Sequence, residues 1–133
     1  MTGGIHHVGI AVDDLDAAIA RWTALFGATL EHRERVDDQG VEAASLYVGG
    51  SRIELLAALG EETPVGKFLA KRGPGVHHVA FETDDVAAEL ARLKADGADL
   101  IDETPRRGMF GLQVAFVHPG ATGGVLAEFV GND

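Results

Sequence analysis

Ile5-His6-His7-Val8-Gly9-Ile10 and Val76-His77-His78-Val79-Ala80-Phe81 are the two stretches whose reading decides the fold. They stand 71 positions apart. The echo runs on through Asp13-Asp14, Ala17 and Ala20-Arg21 against Asp84-Asp85, Ala88 and Ala91-Arg92, giving eight identities in the seventeen positions from Ile5 to Arg21. Self-similarity at a fixed offset is the mark of a repeated supersecondary unit. Each copy also ends in a strand-like run carrying one acid, Ile53-Glu54-Leu55-Leu56 and Ala127-Glu128-Phe129-Val130. A duplicated unit that delivers one His and one Glu per copy offers the nitrogen and oxygen donors of a divalent metal site.

Working outward, Ile5–Val12 alternates as a strand and Asp13–Phe26 carries a helical stripe of Leu15, Ala18, Ile19, Trp22 and Leu25-Phe26, capped by Asp13 or Asp14 and closed at Gly27. Strands are predicted over 28–36, 41–48 and 51–57, the last two joined at Gly49-Gly50. The second half repeats the order, with a strand over 76–83, a helix over 84–96 and strands near 98–102, 112–117 and 124–130. Between the halves, Pro64–Arg72 reads as a short helix stopped by Gly73-Pro74-Gly75. The expectation is one α+β domain over 1–133, with βαβββ repeats at about 4–57 and 76–131 and a linker helix region at 58–75. Four strands cannot close a core alone, so the repeats are expected to form a curved eight-stranded mixed sheet around a metal cleft.

Composition narrows the chemistry. A net charge of −10 disfavours nucleic acid, although a few local cations can still receive an anionic ligand. With no cysteine there is neither a disulfide framework nor a thiolate ligand or nucleophile. No apolar run approaches the ~18 residues of a membrane span. Strand-like sequence begins within a few residues of the start, so a cytoplasmic address without a signal peptide is expected.

Strand alternation separates the two members of each histidine pair. His6 shares a face with Val8, Ile10 and Val12, a bulky row suited to packing under a helix, whereas His7 shares its face with the small Gly9 and Ala11. His77 likewise goes with Val79 and Phe81, and His78 with Ala80. His7 and His78 are therefore assigned to the open face, and His6 and His77 to structural roles. A lone strand histidine or glutamate is ordinarily core or solvated edge. The repetition of both types at matching positions is what favours the quartet His7, Glu54, His78 and Glu128 as metal ligands. His32 reads as a solvated edge residue and His118 as a turn residue. The Asp13-Asp14 and Asp84-Asp85 pairs are explained by capping.

The duplication with its His and Glu resembles the vicinal oxygen chelate superfamily. More specific runs are similar to the methylmalonyl-CoA epimerase family: Glu61-Glu62-Thr63-Pro64-Val65-Gly66-Lys67-Phe68-Leu69, Gly73-Pro74-Gly75-Val76-His77-His78-Val79-Ala80-Phe81, and His118-Pro119 followed by Thr122-Gly123-Gly124-Val125-Leu126-Ala127-Glu128. That resemblance covers essentially the whole chain. It implies the same four ligands, His7, Glu54, His78 and Glu128. It also implies a divalent ion (Co²⁺ first, otherwise Mn²⁺, Ni²⁺ or Zn²⁺), an acyl-CoA substrate and a homodimer. The reaction implied is epimerisation of (R)/(S)-methylmalonyl-CoA by C2 proton abstraction through a metal-chelated enediolate, with Glu128 as ligand and catalytic acid–base. Two departures stand out. Gly120 follows the His-Pro pair where lysine is frequent, and Ala43 occupies the place where some epimerases carry a second proton-transfer Glu, with Glu42 one residue away. Lys67, Lys71, Arg72, Arg106 and Arg107 are candidates for gripping the CoA portion, each also readable as a plain surface charge. A glyoxalase I-like lactoylglutathione lyase would use a similar quartet. An extradiol dioxygenase would need iron on two His and one carboxylate. A binding protein of the same fold would need no metal.

Overall fold

The computed structural model describes residues 2–132. In chain order these form β1 (Thr2–Ala11), α1 (Leu15–Phe26), β2 (Thr29–Val36), β3 (Val41–Val48), β4 (Ser51–Ala58), α2 (Pro64–Arg72), β5 (Gly75–Thr83), α3 (Val86–Ala95), β6 (Arg106–Arg107), β7 (Gln113–Val117), α4 (Pro119–Thr122) and β8 (Ala127–Gly131). The strands belong to one eight-stranded sheet in the order β2-β3-β4-β1-β5-β8-β7-β6. It is mixed: β1–β4 and β5–β8 pair parallel, while β2–β3, β3–β4, β6–β7 and β7–β8 pair antiparallel. The α+β class and the doubled strand–helix–strand order match the sequence reading. The chain divides into two compact units, residues 7–77 and residues 2–6 with 78–132, so that each division falls between the two members of a histidine pair.

In the unit of residues 7–77, Asp14 caps α1 by accepting the Ala17 N–H at 3.0 Å, and the helix closes on Gly27 in the left-handed region. The stripe Leu15, Ala18, Ile19 and Trp22 packs with Val12, Ala44, Leu46 and Leu55. Leu46 and Leu55 are wholly buried, and each such side chain contributes roughly 1.5–3 kcal/mol. This packing fixes parity. Ala44, Leu46, Ile53 and Leu55 face α1, so Ala43, Ser45, Tyr47, Arg52 and Glu54 occupy the other face. The linker helix α2 has the expected bounds, with Thr63 accepting the Gly66 N–H at 3.1 Å and Pro64 at its first turn.

In the second unit, Asp85 caps α3 in the same way, accepting from Ala88 N–H at 3.0 Å. Val86 and Leu90 pack with Ala115, Val117 and Phe129. The strand expected over 98–102 is reduced to an isolated bridge between Leu100 and Val117, and the ladder strand is β6 instead. The cause is local: the Asp102 carboxylate accepts the Phe116 N–H at 2.8 Å, so a side chain takes the place of a strand neighbour, and Pro105 has no N–H to offer. The last strand starts at Ala127 rather than Gly124, because α4 and the positive-φ pair Gly123-Gly124 precede it. Among the described residues no helix is long and apolar enough to cross a membrane.

Candidate metal centre

β1 and β4 run parallel with Gly9 opposite Glu54, and β3 places Ser45 opposite Glu54 on its other side. His7, two residues before Gly9, shares that face. Its Nε2 lies 3.5 Å from a Glu54 carboxylate oxygen, and the two residues are 3% and 7% exposed. In the second repeat, Ala80 on β5 and Phe116 on β7 flank Glu128. There His78 Nε2 stands 3.2 Å from a Glu128 oxygen with both side chains 3% exposed. The Phe116 ring meets the His78 imidazole edge-on, with centroids 5.4 Å apart. Each repeat thus brings together the His and the Glu expected of it. Strand parity separates the two members of each pair, but the exposure is the reverse of that expected: His7 and His78, assigned to the open face, are 3% exposed, while His6 and His77 are half-buried, and His77 packs edge-on to Phe68 with centroids 5.0 Å apart.

Buried imidazole nitrogens beside carboxylate oxygens, with no thiolate anywhere in the chain, make a donor set that suits a first-row divalent ion. The residues therefore fit the metal that the sequence reading calls for.

The remaining candidates fall elsewhere. His32 on edge strand β2 hydrogen-bonds Glu34 at 2.9 Å. His118 caps α4 by accepting the Gly120 N–H at 2.9 Å. Ala43 is fully buried on the Glu54 face, while Glu42 accepts from the Arg33 guanidinium at 2.9 Å and the register around it is regular. The bulge in β2 lies between Leu30 and His32. Of the cations considered for CoA, Arg72 stacks over Phe68 at 5.8 Å and Arg106 pairs with Asp102 at 3.1 Å.

A network not anticipated from sequence adjoins Glu54. The Glu31 carboxylate receives Arg52 Nε at 3.0 Å, another Arg52 nitrogen at 3.1 Å, and the hydroxyl of fully buried Ser45 at 2.7 Å. Its pKa is held below the ordinary glutamate value, first by the Arg52 hydrogen bond. The available signal was the spacing of Arg52 and Glu54, which are two apart on one strand and so on one face. Glu31 itself lies at the β2 register shift between Leu30 and His32, which has no such signature.

The family model for the Glyoxalase/Bleomycin resistance protein/Dioxygenase superfamily matches residues 6–116. An ethylmalonyl-CoA/methylmalonyl-CoA epimerase of Cereibacter sphaeroides is 38% identical over 96% of this chain and 97% of its own length. The chain belongs to the methylmalonyl-CoA epimerase family. Within that family, the crystal structure of methylmalonyl-CoA epimerase from Mycobacterium tuberculosis shares 43% identity at a TM-score of 0.95, covering 99% of this chain and 89% of that one. A methylmalonyl-CoA epimerase solved with methylmalonyl-CoA and NH4+ shares 40% identity at a TM-score of 0.95, covering 99% and 96%.

Proposed function

We propose that this protein interconverts (R)- and (S)-methylmalonyl-CoA by moving the C2 proton, with His7, Glu54, His78 and Glu128 holding a divalent metal ion. The observation that carries the reading is the doubled, buried His–Glu pair in a chain similar over its whole length to epimerases. When bound, the ion (Co²⁺, or Mn²⁺, Ni²⁺ or Zn²⁺ in its place) supplies Lewis-acid stabilisation of the negative charge that develops beside C2.

The chain's own residues do the rest. Glu128 accepts the C2 proton from one face of one epimer and, in the reverse direction, donates a proton to that same face of the planar intermediate, the role for which a positioned carboxylate is suited. Phe116 opposite Glu128 and the buried wall of Ala80, Val114 and Val130 keep water from its neighbourhood. Lys67, Lys71 and Arg72, or Arg106 and Arg107, meet the CoA phosphates, a local exception in a chain of net charge −10. Ala43 can carry no proton, so the second face of C2 is served by a group other than the residue at that position. A homodimer and a cytoplasmic address belong to the same reading.

The test is deuterium incorporation at C2 of methylmalonyl-CoA in D₂O, followed by NMR, with chelator-treated protein before and after Co²⁺ is restored. Metal-dependent exchange with interconversion of the epimers is the expected result. Tight metal binding without exchange would instead point to a glyoxalase-type substrate.

A further inference from the structure

We propose that His32, paired with Glu34, is the proton-transfer group for the second face of C2, opposite the face that Glu128 serves. The proposal rests on the reading of this chain as an epimerase with Glu128 as its first acid–base group. Epimerisation takes a proton from one face of C2 and delivers another to the opposite face of the planar intermediate. A carboxylate fixed on one side cannot do both, so a second proton carrier is required.

Strand register puts the pair on the face of the sheet that carries Glu54. His32 stands opposite Ser45 in the β2–β3 ladder, and Ser45 stands opposite Glu54 in the β3–β4 ladder. Glu34 stands opposite Ala43, and Ala43 opposite Leu56, two residues on from Glu54. Residues that face each other across a ladder, or lie two apart along a strand, share a side of the sheet. Arg33, between them, has the other parity: it stands opposite Ala44 and pairs with Asp16 of α1. The β3 side chains between the pair and Glu54 are thus the small Ala43 and Ser45. The His32 side chain is 40% exposed and that of Glu34 28%, so the pair is within reach of a ligand from solution.

The chemistry of the pair suits the task. His32 Nε2 lies 2.9 Å from a Glu34 oxygen. A carboxylate in that position orients an imidazole and favours its charged form, and imidazole gains and loses a proton near neutral pH. Other groups that meet on this face carry protons less readily. The Arg52 guanidinium donates to the Tyr47 hydroxyl, and such groups release protons only at pH about 10 for a phenol and above about 12 for a guanidinium. The Glu31 carboxyl is held below the ordinary glutamate value, first by its Arg52 hydrogen bond, and so is a weak base. In one direction Glu128 takes the C2 proton, and the electron pair of the broken C–H bond passes into the planar intermediate. An N–H of the His32 imidazolium then gives its proton to the other face, where that electron pair forms the new C–H bond. Glu128 ends protonated and His32 neutral, and proton exchange with water restores both. The reverse direction starts from neutral His32 and protonated Glu128.

The test follows (R)- and (S)-methylmalonyl-CoA separately in D₂O by NMR, with Co²⁺-loaded wild type, His32→Ala and Glu34→Gln. His32→Ala should interconvert the epimers ~10²–10⁴-fold more slowly, the usual worth of a positioned acid–base group. The epimer whose C2 proton faces Glu128 should still take up deuterium at close to the wild-type rate, keeping its configuration. Glu34→Gln, which removes a positioning residue, should show the same split between the epimers with a smaller loss. Interconversion by His32→Ala at the wild-type rate overturns the proposal and leaves the epimerase reading intact. So does an equal loss of exchange in both epimers, the mark of a packing defect rather than of a missing proton carrier. Wild-type protein that shows no metal-dependent exchange overturns both. If His32→Ala fails to fold, His32→Gln carries the test with the same expectation.

Discussion

Glu54 sits opposite Ser45, with Glu31, Tyr47 and Arg52 on its face of the sheet, whereas at the matching place in the second repeat Glu128 sits opposite Phe116 and Leu126 stands where Arg52 would be. The backbone device is the same in both repeats, an imidazole on one strand and a carboxylate on its parallel neighbour. The surroundings are opposite in kind. The Glu54 side of the comparison is charged and polar, with Ser45 and Arg52 both bound to the Glu31 carboxylate on the same face. A carboxylate walled by aromatic and aliphatic carbon is screened from water, which suits exchange of a proton with a substrate rather than with solvent. Duplication therefore supplied two equivalent pairs, and the side chains around them diverged; the proposed assignment of proton transfer to Glu128 follows that difference.

The sharpest way to break this comparison is to neutralise each carboxylate in turn. Glu128→Gln should lower C2 proton exchange by ~10²–10⁴-fold, the usual worth of a positioned acid–base group. Glu54→Gln should cost no more than about tenfold, because an amide oxygen remains to serve as a donor. Equal losses in the deuterium-exchange assay would mean that the two pairs share the chemistry.

The same contrast predicts unequal stability effects at the paired positions. Phe116→Ala removes a nearly buried ring that packs on His78 and should destabilise by ~3 kcal/mol. Ser45→Ala removes only one of the hydrogen bonds to Glu31 and should cost ~1 kcal/mol. Chemical denaturation of the two variants measures both.

What could be read from the sequence follows from the same physics. The echo around His7 and His78 and the alternation of small and bulky neighbours located the two strands and placed His7 beside Glu54 and His78 beside Glu128 on the face away from the bulky row, because period is a local property, although that face proves buried rather than open. The Glu31–Arg52 network was not legible, since Glu31 lies at a register shift of β2 against β3 between Leu30 and His32, and apolar periodicity does not say which charged groups meet across strands. The strand expected over 98–102 failed for a related reason: Asp102, at the position equivalent to Glu31, turns its carboxylate to the Phe116 N–H and pairs with Arg106. Hydrogen bonds from side chain to backbone compete with the ladder, and apolar periodicity carries no trace of them.

A smaller difference between the repeats lies under their helices. Glu89 on α3 is 3% exposed and holds the Thr2 hydroxyl at 2.9 Å and Arg92 nitrogens at 3.2 Å. Its counterpart on α1, at the constant offset, is Ala18. Burial pushes the Glu89 carboxyl up, but hydrogen bonds from Thr2 and Arg92 are among the effects that outweigh it, and its pKa ends below the ordinary glutamate value. A lowered folded-state pKa means that the stabilisation is present above the unfolded value of ~4.3 and is lost as pH falls through the folded one. Glu89→Gln should therefore cost ~1 kcal/mol at neutral pH, with wild type and variant converging in acid below pH ~4. Hydrogen exchange of α3 as pH is lowered would show the loss, and a constant difference at all pH values would contradict it.

The smallest expected effect tests where the repeats remain equal. Asp14 and Asp85 hold equivalent positions, and each accepts the N–H three residues on at 3.0 Å. Both caps are solvent-exposed, so neither gains from the divergence that separates the two carboxylates of the site. Replacing either by Ala should cost ~1 kcal/mol, and the double variant should show the sum, because the two caps share no hydrogen-bond partner. Unequal costs would show that divergence reached the frame of the repeats as well as their contents. Equal and additive costs would confine it to the surroundings of the His7–Glu54 pair and of the His78–Glu128 pair, where a duplicated scaffold can change its chemistry without disturbing the signals that fold it.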